Sequence, residues 1–191
     1  MPSPVAHGLI GLALGAAAVL TPDDARGLLR QAWRRRWGLS GAVLLAQAPD
    51  IDYLPGLATG DLNAYHHLLT HTAGWCGLVS VGCWLALRAW RSATRLAVLG
   101  WCLLLTGSHL LADWLTADAR PPIGIMALWP FSDGHYISPT TIFLRMHKRD
   151  LADLWQLHNL AAVAVELAWC LPLPALVFGC LRARAKKNAA R

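Results

Sequence analysis

Five apolar stretches, at about residues 5–20, 37–49, 72–90, 96–115 and 159–181, alternate with short blocks of Lys and Arg at 26–36, 88–95 and 182–191. This alternation limits the fold more than any other feature of the chain. The third, fourth and fifth stretches are long enough to cross a hydrocarbon core of about 30 Å, and the first two are short for it. A backbone in lipid must satisfy its own hydrogen bonds, so helices are expected and the fold class is all-α. Charged residues make up 15% of the 191 residues and hydrophobic ones 55%, against about 25% charged in soluble domains. The chain is therefore expected to be one polytopic helical bundle over residues 1–182, with a basic tail at 183–191. No internal repeat or low-complexity linker divides it.

The net charge of +6 does not imply nucleic acid. The basic residues flank apolar runs instead of interleaving with aromatic and polar residues over one face. Cys76, Cys83, Cys102, Cys170 and Cys180 all lie inside apolar runs with no CxxC pair, as buried thiols do. The N-terminus has no cationic leader and no convincing cleavage site, so residues 5–20 are kept as a helix.

Positive charge next to a span marks the cytoplasmic side. With the three basic blocks inside, five spans alternate correctly, the N-terminus is outside and the C-terminus is cytoplasmic. Thirteen of the seventeen Lys and Arg then lie inside. Arg120, Arg145, Lys148 and Arg149 are the exceptions, all in one long outer loop at about 116–158. All eight histidines (His7, His66, His67, His71, His109, His135, His147 and His158) fall on the outer half. So do Asp50, Asp52, Asp61, Asp113, Asp118, Asp133, Asp150 and Asp153. Scattered polar residues would not segregate this way, and a site is expected.

Depth strengthens the expectation. At about 1.5 Å of rise per residue, His7, Asp50 and His109 each lie roughly 20 Å from the inner interface, and His71 roughly 26 Å. Glu166, the only glutamate, falls near 24 Å. At that depth it should face the bundle interior with a partner, either as part of the site or as a hydrogen-bonded packing residue.

Three local patterns carry chemistry. In His109-Leu-Leu-Ala-Asp113, positions i and i+4 share a helix face, so imidazole and carboxylate can reach one ion. In His66-His67-Leu68-Leu69-Thr70-His71, His67 and His71 have the same spacing, whereas His66 and His71 meet only if the segment is not fully helical. In Ala48-Pro49-Asp50-Ile51-Asp52, proline ends the second apolar helix and presents two carboxylates. One can ligate while the other orients a histidine from behind. Each pattern alone has a plain structural explanation: a core contact, an interfacial loop, an acidic helix end. Together, imidazole and carboxylate without thiolate suit Zn²⁺, Mn²⁺ or Fe²⁺, in a site of two or three ions. No serine nucleophile elbow, glycine-rich phosphate loop or flavin motif competes.

His7, Pro49-Asp50-Ile51-Asp52, His66-x4-His71-Thr72, Gly107-Ser108-His109-x3-Asp113-x2-Thr116 and Trp129-Pro130-Phe131-Ser132 occur in the order seen in YdjM-like bacterial inner-membrane proteins. The chain resembles that family over most of residues 1–135. The family is described as membrane-bound, metal-dependent hydrolases, and is in turn similar to the zinc-dependent phospholipase C and single-strand nuclease fold. The resemblance implies His7, Asp50 or Asp52, His66, His71, His109 and Asp113 as metal ligands, with zinc foremost and manganese the alternative. Where the family often has H-R-G-x-T-H, His67 replaces the arginine that would clamp a phosphate. His135 stands where the family often shows a basic residue. His147, Asp150, Asp153 and His158 follow, either as a further metal position or as plain loop residues.

These observations lead to the expectation of a hydrolase acting on a phosphoester of a membrane lipid or lipid-linked substrate. Metal-bound hydroxide would attack, with Asp52 or His67 as general base. A metal transporter or sensor is the alternative, but only scattered polar groups such as Gln47 and Thr106 lie below the ligand layer. A non-catalytic protein with a structural metal site would carry the same ligands. The sequence holds no signal for oligomeric state.

Overall fold

The computed structural model describes residues 1–21, 28–66, 68–90, 95–119 and 121–190. Within them the regular structure is helical, and pairing between extended segments is limited to two isolated bridges, Thr116 with Phe143 and Ile125 with Tyr136.

Helix α1, Pro4–Val19, is the axis of the bundle and packs against four other helices. Its start is defined chemically: the Ser3 hydroxyl accepts from Val5 N–H, and Pro4 occupies the first turn, where its missing N–H costs nothing. Two short helices follow, α2 at Leu28–Arg34 and α3 at Arg36–Ala46. Helices α1 and α3 run antiparallel at very close range. A Cβ added to Gly11 would lie 2.8 Å from the Ala46 Cβ, and one added to Gly15 would lie 2.6 Å from the Ala42 Cβ. The Gly11-x3-Gly15 and Ala42-x3-Ala46 faces thus bring two backbones together as small residues do within membranes.

Pro49 ends α3, and the chain turns through a 3-10 segment, Ala48–Asp52, into the short α4, Tyr53–Thr59. Gly60, at φ +76°, closes α4 in the left-handed conformation that glycine tolerates. A second 3-10 turn, Leu69–His71, precedes α5, Ala73–Trp90, which pairs antiparallel with α6, Leu96–Trp114. Across that pair the buried Ser80 and Thr106 hydroxyls are 3.0 Å apart and hydrogen-bonded. After a long irregular loop come α7, Leu157–Cys170, and α8, Pro172–Ala189, which form one helical segment interrupted at Leu171. Pro172 and Pro174 account for the interruption, since proline removes a helical N–H and crowds the preceding turn.

Two segments are long and apolar enough to cross a membrane, Leu96–Trp114 and Leu157–Ala189. Pro4–Val19 is apolar but has 16 residues, about 24 Å of helix. Helix α3, expected as a second span, has 11 residues, about 16 Å. Length and apolarity in the described helices therefore support two of the five expected spans.

Small residues make up much of the core. Ala6, Ala112, Phe143 and Cys170 meet where α1, α6 and α7 converge, while Ala16, Leu20, Leu39 and Leu181 join α1, α3 and α8. Leu78, Leu96, Leu160 and Leu176 remain exposed on the outer faces, as expected of helices that are apolar all round.

Glu166 has a position the depth argument alone does not give. It is fully buried, but its carboxylate accepts from the Ser3 backbone N–H at 2.6 Å and from the Ser3 hydroxyl. It is an anchor for the start of α1, and it is not among the clustered metal-type donors.

Candidate metal centre

Five segments bring their polar residues to one end of the bundle. Helix α1 contributes His7, and α6 contributes His109 and Asp113 one turn apart. The 3-10 turn after α3 contributes Asp50 and Asp52, and the one before α5 contributes His71. His66 arrives from the turn between α4 and that second 3-10 segment. His7, His71 and His109 are at most 1% exposed, and Asp52 and Asp113 are at most 6% exposed, so this is buried chemistry that needs an explanation.

Four donor atoms are the centre of it. His71 Nε2 and His109 Nε2 are 3.3 Å apart. Asp50 Oδ1 is 3.6 Å from each of them. Asp113 Oδ2 is 3.5 Å from the His71 nitrogen and 3.3 Å from that of His109. Ligands about 2.0–2.1 Å from a tetrahedral ion are separated from one another by about 3.3–3.4 Å. The five separations above, 3.3–3.6 Å, are close to that spacing. On the other side of Asp113, Oδ1 is 3.4 Å from His7 Nε2, and the His7 ring stacks on His109 with centroids 3.7 Å apart.

Apart from the contact between the two Nε2 atoms, these close approaches are not hydrogen bonds. Both His7 ring nitrogens, Asp50 Oδ1 and both Asp113 oxygens are buried without a hydrogen-bond partner. Buried polar atoms left this way cost about 1–3 kcal/mol each, more when charged, so a cluster of five indicates a group that satisfies them together. Three overlapping sets have donor atoms within 4.8 Å: His71, His109 and Asp113; His7, Asp50 and His109; Asp50, Asp52, His66 and His71. The residues fit a divalent cation.

The tautomers fit as well. His109 Nδ1–H donates to the Ala46 carbonyl at 2.8 Å, which turns the Nε2 lone pair inward. His71 Nδ1 lies 3.1 Å from Asp52 Oδ2, which also accepts from Thr70 Oγ1 at 2.6 Å. This is the carboxylate–histidine arrangement that fixes a metal ligand from behind. Asp52 Oδ1 holds His66 Nδ1 at 2.8 Å. With both oxygens engaged, Asp52 orients two histidines at once. His66 Nε2 in turn meets the Tyr53 hydroxyl at 2.8 Å and Lys148 Nζ at 3.1 Å, and Lys148 also donates to Tyr53.

Charge follows the same geometry. Burial alone would depress His71, but the carboxylates of Asp50, Asp52 and Asp113 outweigh it and raise the imidazole to about 9. Burial pushes the Lys148 ammonium down and the Tyr53 phenol up, the latter helped by the same carboxylates.

Of the sequence-derived candidates, His7, Asp50, Asp52, His66, His71, His109 and Asp113 converge here. His67 lies outside the described residues. His147, Asp153 and His158 do not join the cluster. His147 and His158 stack on each other, their nitrogens meeting Gln156 Oε1 and the Arg145 carbonyl, each at 2.8 Å. Asp153 accepts from Arg149 N–H and the Gln156 amide, and Asp150 accepts from Asp153 N–H. They stabilise the loop. Tyr53, Thr70 and Lys148 were missed. Tyr53 follows the Pro-Asp-Ile-Asp turn directly and Thr70 precedes His71, so their neighbours flagged them, whereas nothing in the sequence ties Lys148 to His66.

Access is asymmetric. Asp50 is the most exposed of the four central donors, its side chain 10% open. It lies on a groove of about 550 Å³ whose walls include Leu44, Ile51, Leu54, Trp75 and Val79. Leu44, Ile51 and Leu54 are each at least half exposed along it.

The family model described as YdjM inner membrane protein matches residues 1–186. Comparisons with curated proteins and with solved structures give no match.

Proposed function

The chain belongs to the YdjM inner membrane protein family, and from that premise we propose that it is a metal-dependent hydrolase cleaving a phosphoester of a lipid or lipid-linked substrate. The observation that carries this reading is the set of four donors, His71 Nε2, His109 Nε2, Asp50 Oδ1 and Asp113 Oδ2, at ligand-like spacing with their tautomers fixed. The donor set favours zinc, with manganese as the alternative. The overlapping sets that add His7 on one side and Asp52 with His66 on the other leave room for a second or third ion. Bound there, a divalent ion supplies Lewis acidity towards water and a phosphoryl oxygen.

The chain's own residues supply the rest. Asp52 and Ala46 hold the two imidazoles in register. Asp113 turns one oxygen to each side of the centre, and Asp50 connects it to the groove. The apolar walls of that groove exclude water and suit acyl or isoprenoid chains, so a substrate already in the bilayer reaches the centre laterally. Thr106, below the donor layer, spends its hydroxyl on Ser80 and backbone carbonyls, which does not favour an ion conduit.

In the same reading the chain crosses the membrane five times, with the centre on the outer side. Antiparallel packing of α1 on α3 and of α5 on α6 supports this, because it sets the donor ends of these helices opposite the ends that carry Arg36, Arg88 and Arg95.

The test is a metal count. Purified protein, supplemented with zinc or manganese, is expected to hold two or three ions per chain by elemental mass spectrometry. The double variant His109→Ala, Asp113→Ala should lose them, together with hydrolysis of phospholipids or lipid phosphates. A folded wild type that retains no ion would overturn the reading.

A further inference from the structure

The sequence lacks the arginine that would clamp a phosphate beside His66, yet a second cavity adjoins that histidine. It has a volume of about 410 Å³, within the usual range for small-molecule sites, and its walls include His66, His135, Arg145, Lys148 and Arg149. We propose that this cavity binds the phosphate group of an anionic substrate, with Lys148, Arg145 and Arg149 as its cationic wall and His66 as its floor. The proposal deepens the hydrolase reading and rests on it for the cleavage step.

Three observations support it. First, Lys148 is half-buried and its ammonium meets the Tyr53 hydroxyl, His66 Nε2 and, at 3.9 Å, the Met1 sulfur. Among the described residues, no carboxylate lies within ion-pair distance of Lys148, Arg145 or Arg149. A cation taken partly out of water without a counter-ion is costly, and an anion in the cavity would compensate it. Second, the cavity's acidic residues are turned to other work. Asp118 accepts from Gly124 N–H, and Asp153 accepts from Arg149 N–H and the Gln156 amide. The cationic side chains therefore dominate the space. Third, the cavity leads to the metal-type cluster. From Lys148 the contacts run through His66 Nε2, His66 Nδ1 and Asp52 to His71. Tyr53, whose hydroxyl meets His66, lines the apolar groove that reaches Asp50. A lipid phosphate has the matching layout, a charged head and an apolar tail on either side of the bond to be cut. A neutral headgroup would leave the Lys148 charge unmatched.

The test uses the full-length, metal-loaded protein. Binding of inorganic phosphate is measured by titration calorimetry, and binding of phosphatidic acid in nanodiscs is compared with phosphatidylcholine. Lys148→Met and Arg145→Ala are expected to keep the wild-type metal content and to weaken phosphate binding by roughly tenfold to a hundredfold. Arg182→Ala, on the distant basic helix, should leave it unchanged. Preference for phosphatidic acid over inorganic phosphate would identify a lipid source, and the reverse a soluble phosphate; both outcomes support the cavity. Equal affinity in wild type, Lys148→Met and Arg145→Ala would overturn it, as would an equal loss in Arg182→Ala. If phosphate binds as expected while lipid phosphates are not cleaved and the ions are absent, the hydrolase reading falls and the cavity stands.

Discussion

At the scale of the residue, His71 has two masters. Its Nε2 faces the donor cluster and its Nδ1 faces Asp52, and in the metal-free protein the surrounding carboxylates raise its pKa from 6.5 to about 9. A group whose folded pKa is raised contributes stability that is fully present below the unfolded value. That stability is lost as the pH rises through the folded one. Chelator-treated protein is therefore expected to be more stable at pH 6.5 than at pH 9.5 by on the order of 3 kcal/mol, and to melt at a higher temperature there. Asp52→Asn should flatten this dependence and weaken metal binding roughly tenfold to a hundredfold, since it removes the carboxylate that orients the imidazole. Thermal scans followed by tryptophan fluorescence, with and without zinc, would read both effects. A flat profile in the wild type would refute the assignment. Most of the clustered residues were legible in the sequence, because a helix converts residue spacing into depth and His7, Asp50, His71 and His109 shared one level. Lys148 was not, because irregular loops carry no such ruler.

At the scale of the element, the α1–α3 contact positions His7. Gly15 has no space for a side chain against Ala42, nor Gly11 against Ala46. Gly15→Val should force the two helices apart and cost about 1–3 kcal/mol, as overpacking does. It should also reduce bound metal, because His7 and Asp50 sit on the two separated elements. Calorimetry and metal content of the one variant would test both; a Gly15→Val protein with wild-type stability and metal would contradict the packing. The helix end at Pro49 was legible because proline marked it, whereas the Ser3-Pro4 start of α1 emerged only from the structure. Glu166 shows where the reasoning stops. Depth along α7 was available from the sequence, but its direction around the helix was not, and that direction points to Ser3. The short α3 ends at Pro49, where the chain turns into the 3-10 segment that delivers the carboxylates.

At the scale of the whole molecule, the donor cluster and the basic blocks occupy opposite ends of the bundle, and this polarity fixes the expected orientation. A green fluorescent protein fused to the C-terminus should fluoresce in cells, and alkaline phosphatase fused after residue 64 should be active. The reverse pattern would place the centre in the cytoplasm. The tie between Ser3 and Glu166 also makes the bundle a closed ring. The two residues are 163 positions apart, so the start of α1, with His7 one turn further on, is clasped by a helix from the far end of the described chain. Every donor of the cluster precedes Glu166 in sequence, yet the seat of His7 depends on it; the cluster is a property of the closed ring and not of any one segment.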